Sequence, residues 1–351
     1  MHPTHPSSPG QDSVPPLRML FWETTASCNL SCSHCRRLDL DATSDELTTD
    51  EAKALFRSAK SLGDPVVVFS GGEPLQRPDW KPLADYAHHE LGLTIAMATN
   101  GTLVDAPTAA AIADAGFRRV SISIDGADAA THDKFRNQAG AFDLALAGTK
   151  HLQDVGIPVQ FNATVTTHNV DQLDTIYRFA IDHGVVALHL FLLVPVGCGV
   201  EIADEQQISA ERYEQVLQWV CDRQLEQKIE LRVTCGPHYY RVAAQRGITP
   251  QRGRGCLSGI SVVFVSHRGE VFPCGYFPLD CGNVKTTPLD EIWRTNDHFL
   301  ALRDYDQLEG QCGRCGYKNV CGGCRARAYA ATNNYLSEEP FCILTAQKDE
   351  S

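Results

Sequence analysis

Met19-Leu20-Phe21-Trp22-Glu23-Thr24-Thr25-Ala26-Ser27-Cys28-Asn29-Leu30-Ser31-Cys32-Ser33-His34-Cys35 joins an apolar, strand-like segment to a loop whose cysteines are spaced Cys-x3-Cys-x2-Cys. Three thiolates on one tight loop hold three corners of a cubane iron-sulfur cluster. They leave the fourth iron open to a substrate or cofactor, which separates a catalytic cluster from a four-thiolate electron carrier. The plainer readings are a zinc site or three small cysteines filling core space. Zinc favours paired Cys-x2-Cys knuckles closed by a second pair or by histidines, whereas this triad is followed by a further strand.

That strand, Val66-Val67-Val68-Phe69, ends in Ser70-Gly71-Gly72-Glu73-Pro74. Two glycines there let backbone polar groups approach a bound ligand closely, and Glu73 offers a fixed carboxylate beside it. From residue 18 to about 200, β-like and helix-like runs alternate. Strands are expected over 19–22, 66–70, 93–98, 120–124, 159–165 and 187–193, with amphipathic helices over 49–62, 80–91, 107–115, 142–155 and 170–183. Six βα units predict an α/β fold with a parallel sheet curved into a partial (β/α)6 TIM-like barrel, its site at the carboxyl ends of the strands. Small or polar residues fall there: Thr99 and Asn100 after the third strand, Ser123 in the fourth, Asn162 and Thr164 in the fifth.

At 351 residues, 43% of them hydrophobic, the chain can hold a barrel-sized domain and a smaller one. The expected division is a disordered tail (1–17), the barrel (18–200), a helical connector (201–248) in which Cys221 is a core residue, and a cysteine-rich domain (249–351). The first 16 residues lack the apolar core of a signal peptide, so the 14 cysteines read as metal ligands in a reducing cytoplasm. The longest apolar run, 185–196, is too short to span a bilayer. A net charge of -12 and the lack of a basic block with interleaved aromatics argue against nucleic acid, so an anionic substrate must be met by local arginines.

The two motifs, in this order and spacing, resemble the radical S-adenosylmethionine (SAM) superfamily. The resemblance implies that Cys28, Cys32 and Cys35 hold a 4Fe-4S cluster whose open iron chelates SAM, and that Gly71, Gly72 and Glu73 bind the SAM amino group. It further implies that Ser123 and Asn162 face the SAM carboxylate or ribose, that Thr99 and Asn100 sit near the adenosine, and that His34 lies against the adenine. Arg136 is a candidate partner for the SAM carboxylate, with a surface ion pair as the alternative.

The last third carries Cys256, then Gly269-Glu270-Val271-Phe272-Pro273-Cys274, then Cys312-x2-Cys315-x5-Cys321-x2-Cys324, and finally Cys342. Read alone, Cys312 to Cys324 suits a zinc ribbon. After the upstream motifs, the seven cysteines resemble the SPASM domain, which carries up to two auxiliary 4Fe-4S clusters, although only Gly322 and Gly323 stand where the usual pattern has three residues. The resemblance implies an outer cluster on Cys312, Cys315, Cys321 and Cys342, and an inner one on Cys256, Cys274 and Cys324. No cysteine lies between Cys256 and Cys274 to complete the inner set. That cluster then has an open iron, uses Cys281, or is absent.

The implied chemistry is reductive cleavage of SAM to methionine and a 5′-deoxyadenosyl radical, which takes hydrogen from an unactivated C–H bond. A reduced flavodoxin or ferredoxin supplies the electron, and an auxiliary cluster takes the electron left on the substrate. Residues 20–30, 192–199 and 321–329 resemble the heme-synthesis branch, the group of the heme b synthases and heme d1 enzymes. This implies oxidative decarboxylation of iron-coproporphyrin III propionates, with Arg232, Arg241, Arg325 or Arg327 meeting carboxylates. Read from its own residues, the segment 231–241 has a Gly-Pro break among Cys235, His238, Tyr239 and Tyr240, which is poor core material, so it is a candidate lining of the substrate cavity, with a capped loop as the alternative. The alternatives are a maturase acting on a ribosomal peptide, as in pyrroloquinoline quinone synthesis, and a non-enzymatic iron-sulfur electron carrier.

Overall fold

Strand β1 (Met19–Glu23), which launches the cysteine loop, lies inside a nine-stranded sheet with a parallel partner on each side. The computed structural model describes residues 14–38, 45–249 and 253–346. Strands β2 (Val66–Ser70), β3 (Thr94–Thr99), β4 (Arg119–Ser123), β5 (Val159–Val165), β6 (Ala187–Leu192) and β7 (Glu230–Thr234) follow β1 in consecutive parallel order. On its other side β1 pairs in parallel with β8 (Val262–Val265), and antiparallel β9 (Val271–Phe272) closes that edge. Strands β7 and β9 are opposite edges, so the sheet is open, as a partial barrel requires.

The six expected strands stand within a residue or so of their predicted limits, because each is a β-branched or aromatic run between polar breaks. Burial alternates along β3 and β4, whose outward residues pack under helices. The helix Thr49–Ser61 shows how one cover is made. Thr48 and Glu51 form a capping box, and Ala52, Leu55, Phe56 and Ala59 recur on one buried face. Beneath it Trp22 meets Phe56 and Phe69 edge-on, with centroids 5.2 and 5.4 Å away, in the main core.

Two expectations change. The segment 201–248 contains the expected helix, Ala210–Leu225, with Cys221 buried, but it also adds β7 to the sheet. The cysteine-rich region likewise donates β8 to the flank of β1, so the sheet crosses both expected boundaries. At the other end, residues 1–13 of the expected tail lie outside the described residues, whereas 14–17 are packed. Leu17 is 2% exposed, and the Trp293 indole donates to the Pro15 carbonyl at 3.0 Å. No helix among the described residues is long and apolar enough to cross a membrane.

Candidate active site

The cysteine loop is laid against the end of β2 by backbone contacts that need glycine. Gly72 N–H donates to Thr25 O and Glu73 N–H to Ser27 O, both at 2.8 Å. A Cβ on Gly72 would stand 2.2 Å from Ser27 O, and one on Gly71 2.8 Å from Thr25 O. The turn after β6 holds the far side of the loop, with Cys198 N–H donating to Cys35 O at 2.8 Å. Each thiol of the triad has a donor: Leu30 N–H to Cys28 at 3.4 Å, Arg136 Nη1 to Cys32 at 3.7 Å, and Arg37 Nε to Cys35 at 3.3 Å. Burial pushes the Cys28 and Cys32 thiols up, Arg136 opposes this at Cys32, and neighbouring thiols of the triad act on one another. Donors aimed at sulfur stabilise thiolate ligands, so the set fits a cluster with one open iron. Among the described residues no three His, Cys, Asp or Glu side chains converge on one point as a single ion needs. Cubane corners are separate irons and do not ask for that.

Of the residues expected around SAM, His34, Gly71, Gly72, Glu73, Asn100 and Arg136 belong to or touch this loop, and Thr99 is bonded to Glu73. Glu73 is fully buried, caps the turn Pro74–Gln76, and accepts from Thr99 Oγ1 at 2.8 and 2.9 Å and from Asn100 N–H at 2.9 Å. Burial pushes its carboxyl up to about 7 against these donors. Asn100 also bridges to Asn29 Oδ1 at 2.9 Å. Ser123 and Asn162 are direct register partners on β4 and β5, both half-buried on the same face. His34 is stacked on Phe135 at 3.9 Å, its Nε2 3.6 Å from Asp125. Arg136 is turned inward, with Nη2 2.5 Å from Asp125 Oδ2, while Thr164 N–H reaches Asp125 Oδ1 at 2.7 Å. Asp125 therefore sets Arg136, and through it Cys32. Sequence reading places it at the polar end of the fourth strand without a role of its own, because Arg136 and Thr164, its partners, lie on other elements.

The C-terminal cysteines form two groups. Cys312, Cys315, Cys321 and Cys342 line one cavity of about 370 Å3, counting space open to solvent. A Cβ on Gly323, whose φ is +62°, would stand 3.1 Å from Cys312 Sγ, so this wall too needs glycine. Cys256, Cys274 and Cys324 lie apart from them and act on one another electrostatically. Cys281 belongs to neither group. It packs in the main core, not with the small cluster that contains Cys324, and its thiol donates to Leu279 O at 3.5 Å, so it stands apart from the inner set.

Comparison with known proteins agrees with this geometry. The Radical SAM superfamily model matches residues 22–180, and the SPASM model, an iron-sulfur cluster-binding domain, matches residues 256–316. The chain is 44% identical to the AdoMet-dependent heme synthase of Nitratidesulfovibrio vulgaris, over 96% of each protein. This chain belongs to the radical SAM superfamily. A second AdoMet-dependent heme synthase, from Methanosarcina barkeri, is 45% identical over 93% of this radical SAM protein and 96% of that one. The solved structure of anSMEcpe with bound AdoMet shares the fold, with a TM-score of 0.72 at 18% identity over 95% of this chain and 96% of that one. The radical SAM protein described here is thus an enzyme whose cofactors are SAM and iron-sulfur clusters, which removes the electron-carrier alternative.

Three of the four arginines expected to meet substrate carboxylates in this radical SAM protein are used internally. Arg241 grips Glu214, with Nη1 to Oε1 at 2.9 Å, and Arg325 donates to the carbonyls of Tyr335 and Ser337 at 2.9 and 2.7 Å. Arg327 pairs with Glu339 at 2.9 Å with both side chains fully buried. Arg232 on β7 is half exposed and pairs with Glu230 at 2.7 Å. His238 and Tyr239 lie on the helix His238–Gln245, where Tyr239 is bonded to Gln224, and His238 faces the outer cysteines. The larger cavity, about 580 Å3 including space open to solvent, lies elsewhere. It runs from Arg36 and Arg37, beside Cys35, to Cys274 and Gly275, with Phe264 and Phe277 among its walls and Arg268 and Glu270 at its rim. Sequence reading missed it because Arg36 and Arg37 look like the exit of the cysteine loop.

Proposed function

We propose that this enzyme makes heme by oxidative decarboxylation of the propionate side chains of iron-coproporphyrin III. The observation that carries the reading is the cavity between the triad loop and Cys274, joined to the heme-synthase relatives. A space of about 580 Å3 with aromatic walls and several arginines suits a flat anionic macrocycle, and a chain of net charge -12 needs such local cations. Arg36 stands over Phe264 at 4.6 Å with Nη2 donating to Ser70 Oγ at 3.1 Å and Nη1 3.9 Å from Glu23, so a propionate would be met by the donors that these contacts leave over.

Cys28, Cys32 and Cys35 hold the first cluster in this reading, and His34, Gly71, Gly72, Glu73, Thr99, Asn100, Ser123, Arg136 and Asn162 surround SAM. When bound, cluster and SAM supply a 5′-deoxyadenosyl radical that removes hydrogen from an unactivated C–H bond. Each propionate so treated loses one hydrogen atom, carbon dioxide and one electron and becomes a vinyl group. Cys256, Cys274 and Cys324 hold an inner cluster placed to take that electron, and Cys312, Cys315, Cys321 and Cys342 an outer one. A reduced flavodoxin or ferredoxin supplies the first electron, in the cytoplasm.

Anaerobic, reduced enzyme given SAM and iron-coproporphyrin III is expected to release product lacking two carboxyl groups, read by mass spectrometry. Arg36→Ala is expected to raise KM for the porphyrin roughly tenfold while SAM cleavage without substrate is unchanged, the loss of one charge-assisted contact. SAM cleavage with no decarboxylated porphyrin would overturn the proposal and favour a peptide substrate.

A further inference from the structure

The inner cysteines have a fourth neighbour that no spacing pattern contains. Cys235 follows β7 directly, and its thiol lies close enough to those of Cys324 and Cys274 for the three to act on one another. Cys235 and Cys274 both pack against the small cluster, separate from the main core, that contains Cys324. Cys256 reaches the same group, since it acts on both Cys274 and Cys324. Four thiols from four parts of the chain therefore surround one place.

The backbone is arranged to bring Cys235 there. Its φ is +59°, a left-handed conformation that a residue with a Cβ adopts only when its surroundings impose it. Arg327 Nη2 donates to the Cys235 carbonyl at 2.6 Å and so anchors this turn. The same guanidinium pairs with Glu339, and Glu339 accepts the Cys324 N–H at 2.7 Å. One buried ion pair thus positions both cysteines. A thiol that merely filled core space would need neither the strained backbone nor the shared anchor.

We infer that Cys235 is the fourth protein ligand of the inner cluster, completing Cys256, Cys274 and Cys324. The inference rests on the proposal that those three cysteines hold a cluster at all. It makes the inner cluster a fully thiolate-ligated electron acceptor without an open iron, so the substrate binds beside it and not to it.

The test uses the full-length chain with Cys28, Cys32 and Cys35 replaced by Ala, which removes the cluster that has an open iron by design. Iron, sulfide and electron paramagnetic resonance are read before and after mild ferricyanide oxidation, without any activity assay. The parent is expected to hold two clusters and to give no three-iron signal, because every iron has a cysteine. Adding Cys235→Ala is expected either to produce a three-iron signal with loss of about one iron, or to remove one cluster's iron while the other stays. Cys235→Ser, which keeps an oxygen ligand, is expected to retain the iron with an altered spectrum, and Cys281→Ala is expected to match the parent. A three-iron signal already present in the parent, or Cys235→Ala and Cys235→Ser variants indistinguishable from it, would overturn the inference. A parent with a single cluster that survives replacement of Cys256 and Cys274 would instead overturn the underlying assignment.

Discussion

Around Cys32 the working unit is a chain of side chains: His132 meets the Asp125 backbone, the Asp125 carboxylate meets Arg136, and Arg136 meets the thiol. Asp125 N–H donates to His132 Nδ1 at 3.1 Å, so the imidazole must be neutral at that nitrogen, and burial lowers its pKa to about 4. In the unfolded chain the value returns to the ordinary 6.5. Between these limits the unfolded state binds a proton that the folded state does not, so stability falls as pH drops through the window. At about pH 5 the loss from this one residue is about 2 kcal/mol. Denaturant unfolding of His132→Gln at about pH 5 and about pH 7.5 should therefore show a pH difference smaller than the parent's by roughly that amount. An equal difference in the two proteins would show that His132 does not titrate between the states. The cysteines were legible at this scale because their spacing is local. Asp125 and Cys235 could be placed, at a strand end and in a candidate cavity lining, but not given these roles, since the partners that give them meaning lie far along the chain.

Among the elements, the strands most easily read are those whose side chains are buried whichever face they take, such as Val66-Val67-Val68-Phe69. Strand β7 reads Glu-Leu-Arg-Val-Thr, and its polar residues line the inside of an open sheet, so it resembles a connector until β6 is placed beside it. The contact between the β2 end and the cysteine loop was visible as Gly71-Gly72, though not its tightness. Gly72→Ala should push the loop off the strand end, because the added methyl meets the Ser27 and Ala26 carbonyls at 2.2 and 2.7 Å. The sheet elsewhere is untouched. Far-ultraviolet circular dichroism is expected to be unchanged, iron content to fall by about one cluster, and SAM cleavage to drop at least about a hundredfold, the scale set by misplacing reacting groups by an ångström. Parental iron content in this variant would mean that the loop has room to yield.

Across the whole molecule, the pairing of β1 with β8 makes the cysteine-rich region part of the barrel's own sheet. Sequence order could not show this, since Val262-Val263-Phe264-Val265 reads equally well as a strand of a separate small domain. A chain of residues 14–249 would leave β1 as a bare edge and strip Trp293 from the amino-terminal segment. It is expected to show no cooperative thermal transition by circular dichroism, whereas full-length protein melts as one unit. A cooperative melt of the truncated chain would show that the barrel stands alone. The shared sheet has one more effect. In the proposed reaction a substrate radical lying between the triad loop and Cys274 passes its electron to the inner cluster, and tunnelling weakens exponentially with the gap to be crossed. Here the loop bearing Cys28, Cys32 and Cys35 leaves β1, and Cys274 follows β9, two strands across a ladder whose rungs are about 4.8 Å apart. The gap is clamped by backbone hydrogen bonds, and thermal motion has little purchase on its width.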